Sequence, residues 1–125
     1  MALTEGVIPK KILIVEDEES VRQALTKIFE NYGHKVTAAR DGQEGLKIYG
    51  QQGDFDIVFT DLSLPGISGW EVADAIKSKD PKVPVVILSG WEVPESDERI
   101  GKVERVLNKP VKIKDMMKAV KDLCG

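Results

Sequence analysis

The residues of this sequence that could do chemistry together each follow a short apolar segment. Glu16 and Asp17 follow the first such segment, and Asp61 follows another. Ser89 and Lys109 follow two more, later in the chain. If these segments are parallel strands of one sheet, their carboxyl ends meet at the same edge. The sequence therefore predicts three carboxylates, one hydroxyl and one ammonium in a small site.

A phosphoryl group is the ligand that suits this set of side chains. Three carboxylates close together repel and raise one another's pKa values. A hard divalent cation such as Mg²⁺ removes that conflict, because it prefers oxygen ligands. Lys109 balances a further negative charge, and the Ser89 hydroxyl can donate to a phosphoryl oxygen. The set is typical of a site that uses a carboxylate as the nucleophile toward phosphorus.

Each of these residues also has a purely structural explanation when it is taken alone. The acidic run 16–19 could serve only to favour a helix N-terminus, and Asp61 could be an ordinary turn residue. Lys109 and Pro110 alone fit a loop. The combination favours a site for a phosphoryl group over these structural explanations, since every predicted strand end except the second carries a suitable side chain.

Short apolar strands alternate with amphipathic helices along the chain. The strands are predicted at residues 11–15, 35–39, 56–60 and 84–88, with a fifth inside 103–108. Between and after them, helices are predicted from Val21 to Tyr32, around Leu46 and Tyr49, over 69–79, over roughly 95–102 and from Ile113 to Leu123. Five repeats of this alternation favour an α/β fold, a doubly wound parallel sheet with helices on both faces.

Length and composition favour one soluble domain. The chain has 125 residues, of which 42% are hydrophobic and 31% are charged. That is enough for a single hydrophobic core. We expect residues 1–10 to be an N-terminal lead and residues 11–125 to form the domain. The formal net charge of −3 argues against a surface that binds nucleic acid directly.

The sequence also carries no signal for export or membrane insertion. No segment approaches the ~18 consecutive apolar residues of a membrane span. Residues 1–10 lack the apolar core of a signal peptide. Cys124 is the only cysteine, so an internal disulfide cannot form. These features predict a cytoplasmic location.

Four motifs resemble those of the response regulator receiver domain, over nearly the whole chain from Lys11. They are Val15-Glu16-Asp17-Glu18, Asp61-Leu-Ser-Leu-Pro-Gly-Ile-Ser-Gly69, Ile87-Leu-Ser-Gly90 and Asn108-Lys-Pro110. The resemblance implies a flavodoxin-like (βα)5 fold with strand order 2-1-3-4-5. It also implies a cis peptide bond before Pro110.

The resemblance implies a metal site and a phosphoacceptor. Asp61 would accept the phosphoryl group from a phosphohistidine of a histidine kinase or a histidine phosphotransfer protein. Mg²⁺, or Mn²⁺ in its place, would be held by Asp17, Asp61 and the backbone carbonyl of Ser63. Glu16 would contribute partly through water.

The remaining implied roles concern the response to phosphorylation. Lys109 would pair with the phosphoryl group, and Ser89 would move to hydrogen-bond a phosphoryl oxygen. Such a domain is a signalling switch and not an enzyme in the usual sense, although it catalyses its own phosphorylation and slow dephosphorylation. An effector would read its state through the last helices.

Three features depart from the family pattern. The usual aromatic switch residue, three positions before Lys109, is Val106 here. The stretch from Ser89 to Lys109 is short and contains Pro94, so its helix is expected to be short or irregular. Trp91 stands two positions beyond Ser89, and we hypothesise that it shields a phosphoryl group on Asp61 from water.

Other function classes fit less well. A haloacid-dehalogenase-like phosphohydrolase needs a second Asp two residues after its nucleophile in the first strand, whereas Glu18 and Glu19 follow Asp17. A nucleotide or flavin module needs a phosphate loop after the first strand, and this one is acidic. A pseudo-receiver that only binds partners remains an alternative.

The wider context stays open at this point. The chain could be a stand-alone regulator, the receiver of a DNA-binding regulator or the receiver of a hybrid kinase. Val106 and the basic lead at Lys10 and Lys11 favour the hybrid kinase slightly.

Overall fold

A five-stranded parallel sheet forms the centre of the molecule in a computed structural model that describes residues 8–124. The strands lie in the order β2-β1-β3-β4-β5, and all four neighbouring pairs are parallel. Their bounds are β1 Lys11–Val15, β2 Lys35–Ala39, β3 Ile57–Asp61, β4 Val85–Ser89 and β5 Arg105–Asn108. The predicted strand order is confirmed. The strands β3 and β4 start and end one residue later than predicted, so that Asp61 and Ser89 are the last residues of their strands.

Four α-helices cover the sheet, namely α1 Glu19–Asn31, α2 Gly42–Gln52, α3 Gly69–Lys79 and α4 Ile113–Cys124. The predicted helix over roughly 95–102 is short and irregular, as expected, and it is a 3₁₀ helix over Glu98–Lys102 that begins three residues later than predicted. Pro94 and Asp97 close a turn before it, and the Asp97 side chain accepts the Arg99 N–H. These local bonds start the helix late and leave no room for an α-helix before β5. The (βα)5 alternation therefore holds with four α-helices and one 3₁₀ helix.

Apolar residues divide into one core on each face of the sheet. One core contains Leu13, Val58 and Ile87, which pack with α2 and α3. The other contains Ile14, Phe59 and Leu88, which pack with α1 and α4. Because successive side chains of a strand point to opposite faces, the buried strands supply both cores. The sheet is thus doubly wound, as predicted.

A close contact between β3 and the start of α3 fixes the region around Asp61. Ser68 caps α3 in a capping box with Glu71. Gly69 donates its N–H to the Leu62 carbonyl at 2.9 Å. A Cβ at Gly69 would lie 2.2 Å from the Asp61 carbonyl oxygen. Only glycine permits this approach, so α3 begins directly against the end of β3.

The structure describes only part of the predicted N-terminal lead and nearly all of the predicted domain. Residues 1–7 of the predicted lead 1–10, and Gly125 of the predicted domain 11–125, lie outside the described residues. The backbone N–H of Lys10, at the end of the predicted lead, donates to His34 Nδ1 at 3.0 Å. This contact lies at the amino end of β2, whereas Asp61 lies at the carboxyl end of β3. No helix within residues 8–124 is long and apolar enough to cross a membrane.

Candidate phosphoryl and metal site

Three carboxylates meet at the carboxyl edge of the sheet. Glu16, Asp17 and Asp61 each offer an oxygen atom, and these atoms lie within 4.8 Å of one another. Glu16 and Asp61 are buried, with 0% and 1% of their surface exposed, while Asp17 is exposed. The structure thus brings together the three carboxylates that the sequence placed at two strand ends.

The neighbouring strands β1 and β3 bring Glu16 and Asp61 together. Glu16 directly follows β1, and its N–H donates to the Ala39 carbonyl of β2 at 3.0 Å. Its carboxylate accepts the Glu18 N–H at 3.1 Å. Asp61 ends β3, and the next N–H, of Leu62, donates to the Leu88 carbonyl at 2.9 Å. Pairing beyond the strands therefore holds both carboxylates in place.

Lys109 reaches this cluster from the far side of β4. Its Nζ lies 2.6 Å from Asp61 Oδ1 and 3.3 Å from Glu16 Oε1. Its backbone N–H donates to the Ser89 carbonyl at 2.7 Å, and the Lys109–Pro110 peptide bond is cis, as the resemblance implied. One ammonium thus pairs with two buried carboxylates, at the sheet edge where the sequence placed Lys109.

The pKa values follow from burial and from this mutual contact. Burial, then the neighbouring Glu16, raise the pKa of Asp61 to about 8, although Lys109 opposes the shift. Burial also acts to raise the pKa of Glu16, but contacts with Asp61, the Glu18 N–H and Lys109 together lower it. Burial acts to lower the pKa of Lys109, and its two carboxylate partners outweigh this and raise it. Of the two buried carboxyl groups, Asp61 is consequently the one whose ionised form is less stabilised.

The cluster has the chemistry of a Mg²⁺ site. Among residues 8–124, no group makes a well-directed hydrogen bond to either carboxylate oxygen of Asp61, despite the ion pair with Lys109. A buried carboxylate with open lone pairs is costly unless a cation completes it. Two or three carboxylate oxygens with access to solvent through Asp17 are the donors that Mg²⁺ takes. The residues present therefore fit the ion that the sequence predicted.

Comparison with known proteins decides the family. A sequence model of the response regulator receiver domain matches residues 12–121. This chain belongs to that family. It is a receiver domain of two-component signalling, a class of domain that acts as a signalling switch.

The chain is similar in sequence to several bacterial regulatory proteins. It is 28% identical over 122 residues to the polar-differentiation response regulator DivK of Brucella anthropi, covering 94% of this chain and 98% of that protein. It is 33% identical over 113 residues to the Regulator of RpoS of Escherichia coli, covering 88% of this chain and 33% of that protein. The chain likewise spans about a third (34%) of AfsQ1 of Streptomyces coelicolor, with 36% identity over 78 residues, or 62% of this chain.

Solved structures agree with this assignment. Response regulator TrrA of Thermotoga maritima, solved in complex with Mg²⁺-BeF, superposes with a TM-score of 0.84 at 31% identity. That match covers 91% of this chain and 98% of TrrA. CheY4 of Vibrio cholerae gives a TM-score of 0.85 at 25% identity, covering 93% and 99% of the two chains.

The Ser89 hydroxyl of this receiver domain is bound to its own loop. It donates to the Trp91 carbonyl and accepts the Trp91 N–H, the latter at 3.1 Å. Ser89 is completely buried at the end of β4. The structure thus places Ser89 at the predicted edge, with its hydroxyl directed to the backbone of Trp91.

A cleft lies beside the loop that follows Asp61. It has a volume of about 350 Å³, and Ser63, Trp70, Trp91 and Pro94 are among the residues that line it. Trp91 is 54% exposed, and Ser63 is exposed as well. Val106 is half-buried and packs against the core that contains Leu13. Two tryptophans, Trp70 and Trp91, therefore line this cleft, and Trp91 lies on the loop after β4.

Sequence reasoning missed Arg22. Its Nη1 donates to the Glu16 carbonyl at 3.0 Å and to the Asp17 carbonyl at 3.3 Å. Arg22 lies within α1 and not at a strand end, so a search of strand ends could not find it. Its position about one turn after the acidic loop was the available signal.

Proposed function

We propose that this receiver domain accepts a phosphoryl group on Asp61 from the phosphohistidine of a histidine kinase or a histidine phosphotransfer protein. The observation that carries the proposal is Asp61 itself. It is buried, its oxygens have no well-directed hydrogen bond from residues 8–124, and an ammonium and two further carboxylates stand beside it. Such a carboxylate is poorly stabilised in the resting state, and its ionised form, which Lys109 favours, is available as a nucleophile.

In the proposed step an Asp61 oxygen attacks phosphorus. The new O–P bond forms as the N–P bond of the phosphohistidine breaks, and the electron pair of that bond remains on the imidazole nitrogen. Lys109, now paired with Asp61, balances the charge on the phosphoryl oxygens. Ser89 releases the Trp91 carbonyl and donates its hydroxyl to a phosphoryl oxygen. The loop after β4 then changes shape, which couples phosphorylation to readout.

We propose Mg²⁺ as the cofactor, with Mn²⁺ as an alternative. Asp17, Asp61 and the Ser63 carbonyl would hold the ion, and Glu16 would act partly through water. When bound, it neutralises negative charge shared by the carboxylates and the phosphoryl oxygens. The acidic cluster and the open lone pairs of Asp61 support this assignment.

Trp91 has a proposed role in the lifetime of the modification. Its exposed side chain lies in the loop that Ser89 binds, and it lines the same cleft as Leu62 and Ser63, which follow Asp61. A large apolar ring at this place hinders a water molecule that approaches phosphorus. We therefore propose that Trp91 shields the acyl phosphate, and that Val106 takes no part in an aromatic switch.

The same proposal covers the extent, the location and the partners of this domain. Residues 11–125 form the signalling domain, in the cytoplasm, and an effector docks on the surface formed by the last helices. The domain itself contacts no nucleic acid. Its phosphoryl chemistry is limited to its own phosphorylation and slow dephosphorylation, so the protein it serves uses it as a switch or a relay.

Acetyl phosphate and beryllofluoride test the proposal directly. With Mg²⁺ present, wild-type protein gains one phosphoryl group, and trapping followed by mass spectrometry places it on Asp61. Asp61→Asn abolishes the modification, while Asp56→Asn, a carboxylate at the other end of β3, retains it. Absence of both modification and beryllofluoride binding in the wild type would favour a pseudo-receiver. Turnover of diverse phosphate esters would favour the phosphohydrolase alternative.

A further inference from the structure

Arg22 ties together the backbone of the loop that carries two of the carboxylates. One guanidinium nitrogen, Nη1, donates both to the Glu16 carbonyl at 3.0 Å and to the Asp17 carbonyl at 3.3 Å. Arg22 is half-buried. Its hydrogen bond to the Glu16 carbonyl is partly buried, and its hydrogen bond to the Asp17 carbonyl is exposed. A single side chain of α1 therefore spans two consecutive residues of the acidic loop.

Glu16 and Asp17 differ in how much they depend on this contact. The Glu16 side chain is buried and is held by Lys109 and by the Glu18 N–H. The Asp17 side chain is exposed, and it makes no hydrogen bond or ion pair with any residue between 8 and 124. Its position therefore follows from the backbone that carries it, and the Asp17 carbonyl is bound by Arg22.

The N-cap side chain of α1 does not restrain the acidic loop. Glu18, the N-cap residue, makes no side-chain capping bond, and its backbone N–H contacts the loop through the Glu16 carboxylate. A capping side chain would accept an N–H of the first helical turn. The Arg22 side chain instead reaches back from α1 and donates to the backbone carbonyls of the loop.

We infer that Arg22 is a positioning residue for the divalent cation, acting through the backbone of Glu16 and Asp17. This inference rests on the proposed function, since it assumes that the acidic cluster binds Mg²⁺. By fixing both carbonyls, Arg22 directs the Asp17 carboxylate toward Asp61. Groups that orient metal ligands in this way typically contribute about 10-fold or more to metal affinity.

The direction of the change in Mg²⁺ affinity on removal of Arg22 distinguishes a positioning role from that of a nearby positive charge. A cation near three carboxylates repels Mg²⁺, so removing a bystander arginine tightens Mg²⁺ binding. Removing a positioning arginine weakens Mg²⁺ binding, because Asp17 loses its fixed orientation. The two roles thus predict opposite changes for the same substitution.

The experiment is a Mg²⁺ titration of the full chain, followed by the fluorescence of Trp91 and Trp70 or by calorimetry. We expect Arg22→Ala to weaken Mg²⁺ binding about 10-fold. Arg22→Lys, which keeps the charge and one donor, recovers part of the loss. Lys27→Ala removes a positive charge from the same helix at a residue without a polar partner in the described chain, and it leaves the affinity unchanged.

Stability in EDTA provides a second measurement. Thermal unfolding of Arg22→Ala without metal reports any general damage, and stabilisation by Mg²⁺ reports the site separately. Arg22→Gln, which removes the charge and is too short to reach both carbonyls, is a second variant should the alanine variant not fold. Unchanged or tighter Mg²⁺ binding in the folded variants overturns the inference. If the wild type itself binds no Mg²⁺, the proposed function fails and the inference fails with it.

Discussion

Lys109 Nζ lies 2.6 Å from Asp61 Oδ1, although Asp61 ends β3, Lys109 follows β5, and β4 lies between these two strands. The ammonium crosses the end of β4 to reach the carboxylate, and it also lies 3.3 Å from Glu16 Oε1. One positive charge therefore faces two buried carboxyl groups. Burial of Asp61 and the proximity of Glu16 outweigh this ammonium and raise the pKa of Asp61, which leads to the first two predictions.

Replacing Lys109 with Gln should destabilise the protein in the absence of metal. Two buried carboxylates then share a site without a cation, and repulsion is relieved only by protonation of Asp61. Because the Lys109 side chain is 34% exposed, solvent screening limits the loss to about 1–2 kcal/mol in the free energy of unfolding. Urea unfolding at neutral pH in EDTA measures it, with Lys102→Gln on the exposed 3₁₀ helix as the control. Equal losses in both variants would contradict the prediction.

Replacing Asp61 with Asn should stabilise the metal-free protein at neutral pH. The neutral amide removes a buried ionisable group that the folded protein must otherwise protonate or hold charged beside Glu16, a gain of roughly 1–3 kcal/mol. It should also remove a pH dependence. Since the pKa of Asp61 rises from 3.8 to about 8 on folding, the folded state binds the extra proton in this range. Wild-type stability therefore falls as the pH rises from about 4 to about 8.

The measurement is urea unfolding in EDTA across this pH range for both proteins. The difference in unfolding free energy between Asp61→Asn and wild type should grow with pH and then level off above about 8. A constant difference would mean that Asp61 is already ionised at low pH in the folded state. Added Mg²⁺ should stabilise the wild type and have little effect on the variant.

Replacing Trp91 with Ala should shorten the lifetime of phosphorylated Asp61. Water gains access to phosphorus when the ring is removed, so hydrolysis is expected to become several-fold faster. The decay of acetyl-phosphate-labelled protein gives the rate. Trp91→Phe retains an apolar ring and serves as the matched variant with a near-normal lifetime. An unchanged lifetime in Trp91→Ala would exclude the shielding role.

Replacing Gly69 with Ala should destabilise the fold and disturb the site. The new Cβ would lie 2.2 Å from the Asp61 carbonyl oxygen and 2.9 Å from Leu62 Cα, and neither backbone atom can rotate away. We expect a loss of about 1–3 kcal/mol or more in unfolding free energy, with weaker beryllofluoride binding. Gly50→Ala in α2 is the control, since its Cβ meets only Lys79 Nζ at 3.6 Å. That substitution should be neutral or stabilising by about 0.5–1 kcal/mol.

Much of the fold and the site followed from the sequence, because the sheet is parallel. Strands buried on both faces appear as continuous apolar runs, and their carboxyl ends must meet at one edge. Glu16, Asp61 and Lys109 could therefore be placed together although they are distant in the chain. The same reasoning put Ser89 at the edge.

Other features depended on local geometry that residue types do not encode. The Ser89 hydroxyl can rotate to several partners, and only the three-dimensional structure shows that it binds the Trp91 backbone. The segment after Pro94 carries helix-compatible residues, yet the turn before Asp97 leaves only a 3₁₀ helix. Arg22 acts through carbonyl groups, which every residue possesses, so no pattern of side chains marks its contact.

The arrangement of the strands has a consequence for local unfolding. Asp61 ends a strand that is buried along its whole length in the middle of the sheet, whereas Lys109 follows β5, a half-buried strand at the sheet edge. Amide hydrogens of β5 should thus exchange with solvent sooner than those of β3, because edge segments open at lower free energy. Each such opening withdraws the ammonium while the carboxylate stays in place. Fluctuations of the edge strand alone would therefore change the fraction of Asp61 side chains that carry a charge.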